Sequence, residues 1–70
     1  MSKFIDFVLN GESYYIKQKI NLINLIHYLD YNDSLFVLER NNLICQKEIW
    51  KRVTLQNNDK IEIVTIVGGG

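Results

Sequence analysis

The chain has 70 residues, 47% of them apolar, with eight basic and eight acidic side chains and a formal net charge of zero. That length suits one small domain, and that composition is too apolar for a disordered chain. The charges are scattered, so no basic stripe offers itself to nucleic acid, and no apolar run approaches the roughly 20 residues of a membrane span.

Taken in chain order, residues 3–9 (Lys-Phe-Ile-Asp-Phe-Val-Leu) are rich in β-branched and aromatic side chains and read as a strand. They end at Asn10-Gly11, a pair suited to a type I′ turn, in which both central residues need positive φ. Ser13-Tyr14-Tyr15-Ile16-Lys17 is the expected return strand. Leu22, Leu25, Ile26 and Leu29 then recur at i, i+3, i+4 and i+7. That spacing predicts one helix of about ten residues, with Asn21 as its N-cap. Residues 35–40 form a third expected strand, Asn41-Asn42 a turn, Leu43-Ile44-Cys45 a short fourth strand, and residues 46–50 a helical turn with Trp50 plugging a core edge. Asn57-Asn58-Asp59 is a further turn. Residues 60–67 make the last strand, whose alternation is the clearest in the chain. A helix of this size cannot bury itself, so the economical fold is α+β: a mixed sheet of four to five strands wrapped across one main helix. The first and last strands are the most apolar and are expected to pair centrally and in parallel.

Few side chains carry chemistry. His27 is the single histidine, and it lies off the apolar face of the helix, as an ordinary exposed residue would. Cys45 is the single cysteine. It excludes an internal disulfide, suits a reducing compartment and reads as a half-buried structural residue. One His and one Cys do not make a metal site. No phosphate-cradling loop occurs, because Gly11 is the one glycine before the tail. No signal or transit segment is visible at Met1-Ser2-Lys3.

The tail differs from everything before it. Val67-Gly68-Gly69-Gly70 follows the best strand, which suggests a domain over 1–67 and a flexible arm over 68–70. A backbone without Cβ atoms can thread a narrow channel, and three extended residues reach about 10 Å. Such an arm could bring the Gly70 carboxylate into the active site of another enzyme. A carboxylate becomes reactive once a partner activates it, for example as an acyl-adenylate. The layout is that of a carrier.

These features together resemble the ubiquitin-like β-grasp family and, within it, the ThiS family of sulfur carriers of thiamine biosynthesis. The resemblance is carried by Leu9-Asn10-Gly11-Glu12, by Val37-Leu38-Glu39 leading to Asn41, by residues 44–50, by residues 57–64 and by Val67-Gly68-Gly69-Gly70, without gaps from about Leu35 onward. The family often has Asn-Gly, Pro-Arg and Asp-Gly where this chain has Asn41-Asn42, Gln46-Lys47 and Asn57-Asn58. Asn tolerates positive φ, so the turns should survive.

The resemblance implies a protein substrate and not an enzyme. A ThiF-type adenylyltransferase would activate Gly70 with ATP and Mg²⁺, both held by that partner and neither by this chain. Sulfur, supplied indirectly by a cysteine desulfurase, would replace AMP to give a thiocarboxylate, and thiazole synthase would accept it. Carriers for molybdopterin synthesis or tRNA thiolation, and a β-grasp interaction module with an inert tail, are the alternatives. The setting would be cytoplasmic, or plastid stroma if the chain is organelle-encoded; neither nucleic acid nor membrane is an expected partner. Strand alternation adds a partner-facing surface. With Ile5, Phe7, Leu9, Ile61, Ile63, Phe36 and Leu38 turned inward, the residues Phe4, Val8, Val37, Glu62 and Val64 turn outward. The four apolar ones are expected to form one patch next to the tail.

Overall fold

The computed structural model describes residues 4–29 and 36–65. Its elements are β1 (Ile5–Leu9), β2 (Glu12–Ile16), α1 (Leu22–Tyr28), β3 (Phe36–Arg40), β4 (Leu43–Cys45), a 3₁₀ turn at Lys47–Ile49 and β5 (Asp59–Thr65). One five-stranded sheet runs in the order β2-β1-β5-β3-β4, with β5 at its centre. β1 and β5 pair in parallel; every other pairing is antiparallel. This is the mixed sheet on one helix that the alternation and the resemblance implied. The expected ends of the third and last strands, at Leu35 and at Ile66 and Val67, and the tail over 68–70 lie outside the described residues.

The turns form where asparagine and glycine stand. Asn10 and Gly11 take φ of 50° and 84°, both positive as a type I′ turn demands. Asn41 and Asn42 take 54° and 71°, and Asn58 takes 69°, a conformation that asparagine tolerates better than most residues, so these turns form as expected. Asn21 caps α1: its side-chain oxygen accepts from the Asn24 N–H at 2.8 Å, a contact worth about 1 kcal/mol. α1 buries Leu22, Leu25 and Ile26, while Leu29 serves as C-cap and is half-buried. The helix is seven residues long, shorter than its apolar spacing suggested.

The core is contributed by both layers: Phe7 and Leu9 of β1, Phe36 and Leu38 of β3, Ile61 and Ile63 of β5, and the helical face. Trp50 is a full member of it and not an edge plug. It is 2% exposed, stacks on Phe36 with ring centroids 5.5 Å apart, and donates its indole N–H to the Cys45 carbonyl at 2.8 Å. Leu55, an isolated apolar residue between polar neighbours, is also buried. The backbone bonds Leu22 N–H to Val53 and Leu55 N–H to Ile20, both 2.9 Å, draw it in.

Candidate functional site

β5 leads to residues 66–70, so its surroundings decide what supports the tail. The two halves of β5 are held differently. At its start, Asp59 is buried at 4% exposure, and its carboxylate accepts from Arg40 Nε at 3.0 Å, Asn41 Nδ2 at 3.0 Å and the Gln56 backbone N–H at 2.8 Å. That set satisfies a charge that would otherwise be costly to bury. Asn41 also donates its backbone N–H to the Lys60 carbonyl (2.7 Å) and accepts the Lys60 N–H on its side-chain oxygen (2.9 Å). On the opposite edge the β1 register runs Phe7 to Asp59, Val8 to Lys60 and Leu9 to Ile61.

Beyond Leu9 the chain turns away into β2, and Asn10 extends the ladder. Its backbone N–H donates to the Ile61 carbonyl at 2.9 Å, and its side-chain oxygen accepts the Ile63 N–H at 2.8 Å. The side-chain amide therefore stands in for one more residue of parallel strand. Past Ile63, Val64 and Thr65 pair with β3 alone among the described residues, Val64 opposite Val37 and Thr65 opposite Phe36.

The sheet face away from α1 carries the residues expected to turn outward. Val37 and Val64 are directly opposite one another, Val64 half exposed. One step along, Glu39 faces Glu62, and Ile44 of β4 lies opposite Glu39 with 63% exposure. Lys60 Nζ approaches Glu62 Oε1 at 3.4 Å. Ile44 was assigned to a short strand without a face; only its pairing to Glu39 reveals that it extends this surface.

The single patch does not form. Phe4 precedes Phe7 by three positions and Val64 follows Asp59 by five, so the parallel register sets them eight positions apart. At about 3.3 Å per residue that is roughly 26 Å, with Val8 in between, level with Lys60. Phe4 instead packs edge-on against Tyr15 at 5.2 Å, beneath Lys17 Nζ at 5.8 Å from its ring. Alternation correctly turned all four apolar residues to one face. It could not place them along that face, because the register of two strands separated by most of the chain is set by tertiary packing. Val37, Glu62 and Val64 lie at the end of β5 that leads to the tail; Phe4 lies at the far end. Val67, Gly68, Gly69 and Gly70 are outside the described residues.

The remaining candidates stay apart from this end. His27 is exposed on α1. Cys45 is half-buried; burial pushes its thiol above the ordinary value, and the positive charge of Arg40 offsets part of that rise. A neutral thiol is a poor nucleophile. No group of three or more metal-ligating side chains occurs among the described residues.

Comparison with known proteins adds what the side chains leave open. The model of the ThiS family matches residues 7–70. A relative from Trieres chinensis, named uncharacterized protein ycf40, is 58% identical over 64 residues, covering 91% of this chain and 88% of the relative. A protein of the same name from Porphyra purpurea is 33% identical over 70 residues, covering 100% and 99%. A thiazole synthase from Magnetococcus marinus is 32% identical over 62 residues, covering 89% of this chain and 19% of that protein. Among solved structures, a thiamine biosynthesis protein (ThiS) from Geobacter metallireducens superposes with a TM-score of 0.83 at 20% identity, over 94% of this chain and 100% of that one.

Proposed function

The chain belongs to the ThiS family, and from that premise we propose that it is a sulfur carrier for thiazole formation whose working atoms are those of the Gly70 carboxyl group. The observation that carries this reading is the extent of the family match. It spans residues 7–70 and so includes the glycine arm as well as the domain.

The chemistry proceeds on the partners. In the active site of a ThiF-type adenylyltransferase, a Gly70 carboxylate oxygen attacks the α-phosphorus of ATP. Pyrophosphate leaves, with Mg²⁺ on the enzyme balancing the phosphate charge, and an acyl-adenylate remains. A desulfurase takes sulfur from cysteine as a persulfide, whose outer sulfur then attacks the acyl carbon. A C–S bond forms and the C–O bond to AMP breaks; a thiol reductant cleaves the resulting acyl disulfide, leaving a disulfide on its own side and a thiocarboxylate at Gly70. Thiazole synthase accepts that sulfur. The domain contributes rigidity behind the arm and a surface for docking; it is substrate and not catalyst.

The thiazole synthase of Magnetococcus marinus supports this destination, since a segment resembling this chain lies within that single polypeptide. It favours thiazole over molybdopterin or tRNA as the sulfur acceptor. The ycf40 names of the relatives from Trieres chinensis, Porphyra purpurea and Pyropia yezoensis support a plastid-encoded chain acting in the stroma.

Intact mass spectrometry tests the reading. Incubation with ATP, Mg²⁺, a ThiF-type enzyme and a sulfur source should replace one oxygen by one sulfur at Gly70. Deletion of Gly70 should abolish the change while the thermal unfolding curve stays where it was. An unmodified wild-type chain beside an enzyme proven active on another carrier would defeat the proposal.

A further inference from the structure

Strand β2 ends the sheet on its side, and among the described residues no strand pairs with its outer edge. The hairpin register decides which backbone groups that edge presents. Asp6 and Asn10 spend theirs on the β5 side: the Asp6 carbonyl accepts the Asn58 N–H, and the Asn10 N–H donates to the Ile61 carbonyl. Ile5, Phe7 and Leu9, which alternate with them, therefore bond to β2, opposite Ile16, Tyr14 and Glu12. Ser13 and Tyr15 are left with N–H and C=O groups directed away from the sheet. Such a row is a template for another strand, and proteins guard it with proline, a bulge, an inward charge or brevity. At the other edge β4 is guarded by brevity, being three residues long and followed closely by the 3₁₀ turn. β2 has none of these guards. Its register with β1 is unbroken over five residues, and charges stand only at its ends, on Glu12 and the adjoining Lys17.

What fits that edge is the edge itself. With a two-fold axis through Tyr14, perpendicular to the sheet, a second β2 runs antiparallel to the first over its whole length. Ser13 then exchanges both backbone hydrogen bonds with Tyr15 of the second copy. Tyr14 meets its own counterpart, extending the stack it forms on Phe7 at 5.8 Å. The same register puts Glu12 opposite Ile16 of the second copy, at the mouth of a groove between β2 and α1. That groove is lined by Ile16, Lys17, Gln18, Ile20, Asn24 and Tyr28, which bring one cation, two amide side chains and no carboxylate. Glu12 supplies the missing acid, and the symmetry makes the match twice. We propose that this chain pairs with a second copy of itself through β2, joining the two five-stranded sheets into one. The inference does not rest on the carrier reading. It leaves both tails accessible, because the two β5 strands lie inside the joined sheet and run in opposite directions. An interface one strand wide is small beside the roughly 800 Å² per partner of a standard complex, which places the dimer at about 0.1–1 mM.

Sedimentation equilibrium and amide hydrogen exchange test this on the wild-type chain. Between about 10 μM and about 1 mM the weight-average mass should rise by about half or more. Over the same range exchange should slow about twofold or more at Ser13 and Tyr15, and much less at Tyr14 and Ile16, which already bond to β1. Glu12→Lys should raise the dissociation constant about fivefold, since the charge match is lost at both ends of the pair. Glu12→Lys/Lys17→Glu exchanges the two charges and should return the constant to within about twofold of wild type. Glu48→Lys, the same change of net charge placed on the 3₁₀ turn, should leave it there as well. A wild-type chain that stays monomeric to about 1 mM overturns the proposal, and so does association that slows amides elsewhere and not at Ser13 and Tyr15. Glu12→Lys associating as tightly as wild type would overturn it too. If the wild type stays monomeric while the peptide acetyl-Val-Glu-Val-Glu-Val-amide slows the same two amides, the edge takes a foreign strand and the second copy is ruled out.

Discussion

The first and last thirds of β5 are continuous strand, yet they are built on opposite principles. Around Asp59 and Lys60 every polar group is matched. Strand β1 lies on one side, Asn41 bonds Lys60 on the other, and the buried carboxylate takes donors from Arg40, Asn41 and Gln56. Around Val64 and Thr65 the strand has β3 alone among the described residues, an exposed valine and a like-charged pair one step away. Among the described residues, one end is bonded on both sides and the other on one. Under the proposed function that division is useful, because a tail directs its carboxyl group only if the strand behind it does not move, while the surface beside it must be free to dock.

The largest expected effect belongs to the fixed end. Asp59→Ala removes three acceptor contacts and strands Arg40, whose side chain is 31% exposed and so partly compensated by water. A loss of about 3 kcal/mol follows from breaking such a pair from one side. For a domain of this size that lowers Tm by more than about 10 °C. Asp59→Asn keeps an oxygen for the Gln56 N–H and should lose less. Chemical denaturation of the three proteins measures the difference. If Asp59→Ala unfolded at wild-type denaturant concentrations, the contrast between the two ends of β5 would have no energetic basis.

Much of this was legible before any coordinate. The hairpin follows from Asn10-Gly11, the helix from the spacing of Leu22, Leu25 and Ile26, and the β3–β4 corner from Asn41-Asn42, because each is a local pattern with a local cause. Asp59 was read as a turn residue, and nothing adjacent to it announces that Arg40 and Asn41, nineteen and eighteen positions away, converge on its carboxylate. Leu55 gave no periodic signal at all. The face of each outward residue was legible from alternation, while the distance from Phe4 to Val64 was not, since it depends on how β1 slides along β5. The site's chemistry was legible only through the glycine tail and the resemblance it carries.

A middle-sized effect probes the seam between the halves. Asn10 serves twice, as the positive-φ corner and as acceptor for the Ile63 N–H. Asn10→Ala should lose about 2 kcal/mol, roughly 1 from forcing a Cβ-bearing residue into the left-handed region and roughly 1 from the hydrogen bond. Asn10→Gly relieves the first term and keeps the second. It should therefore speed amide hydrogen exchange at Ile63 more than at Ile61, which retains its β1 partner. Equal acceleration at both amides would show that the two halves of β5 open together, and the division would be one of surface and not of local stability.

The smallest effect on stability should accompany the sharpest effect on function. Val64 is half exposed and Phe4 is 40% exposed, so Val64→Asp and Phe4→Asp should each change unfolding free energy by about 0.5 kcal/mol or less. Under the proposed function they should nevertheless differ in adenylation by the activating enzyme. Val64→Asp puts a charge into the apolar pair that Val64 makes with Val37, so its KM should rise strongly. Phe4→Asp alters a site roughly 26 Å away along the sheet and should leave KM near wild type. Equal impairment by both would extend the docking surface over the whole open face, through Val8, and restore the single patch that alternation alone suggested. Impairment by Val64→Asp alone would confine docking to the end of β5 that, among the described residues, pairs with β3 alone.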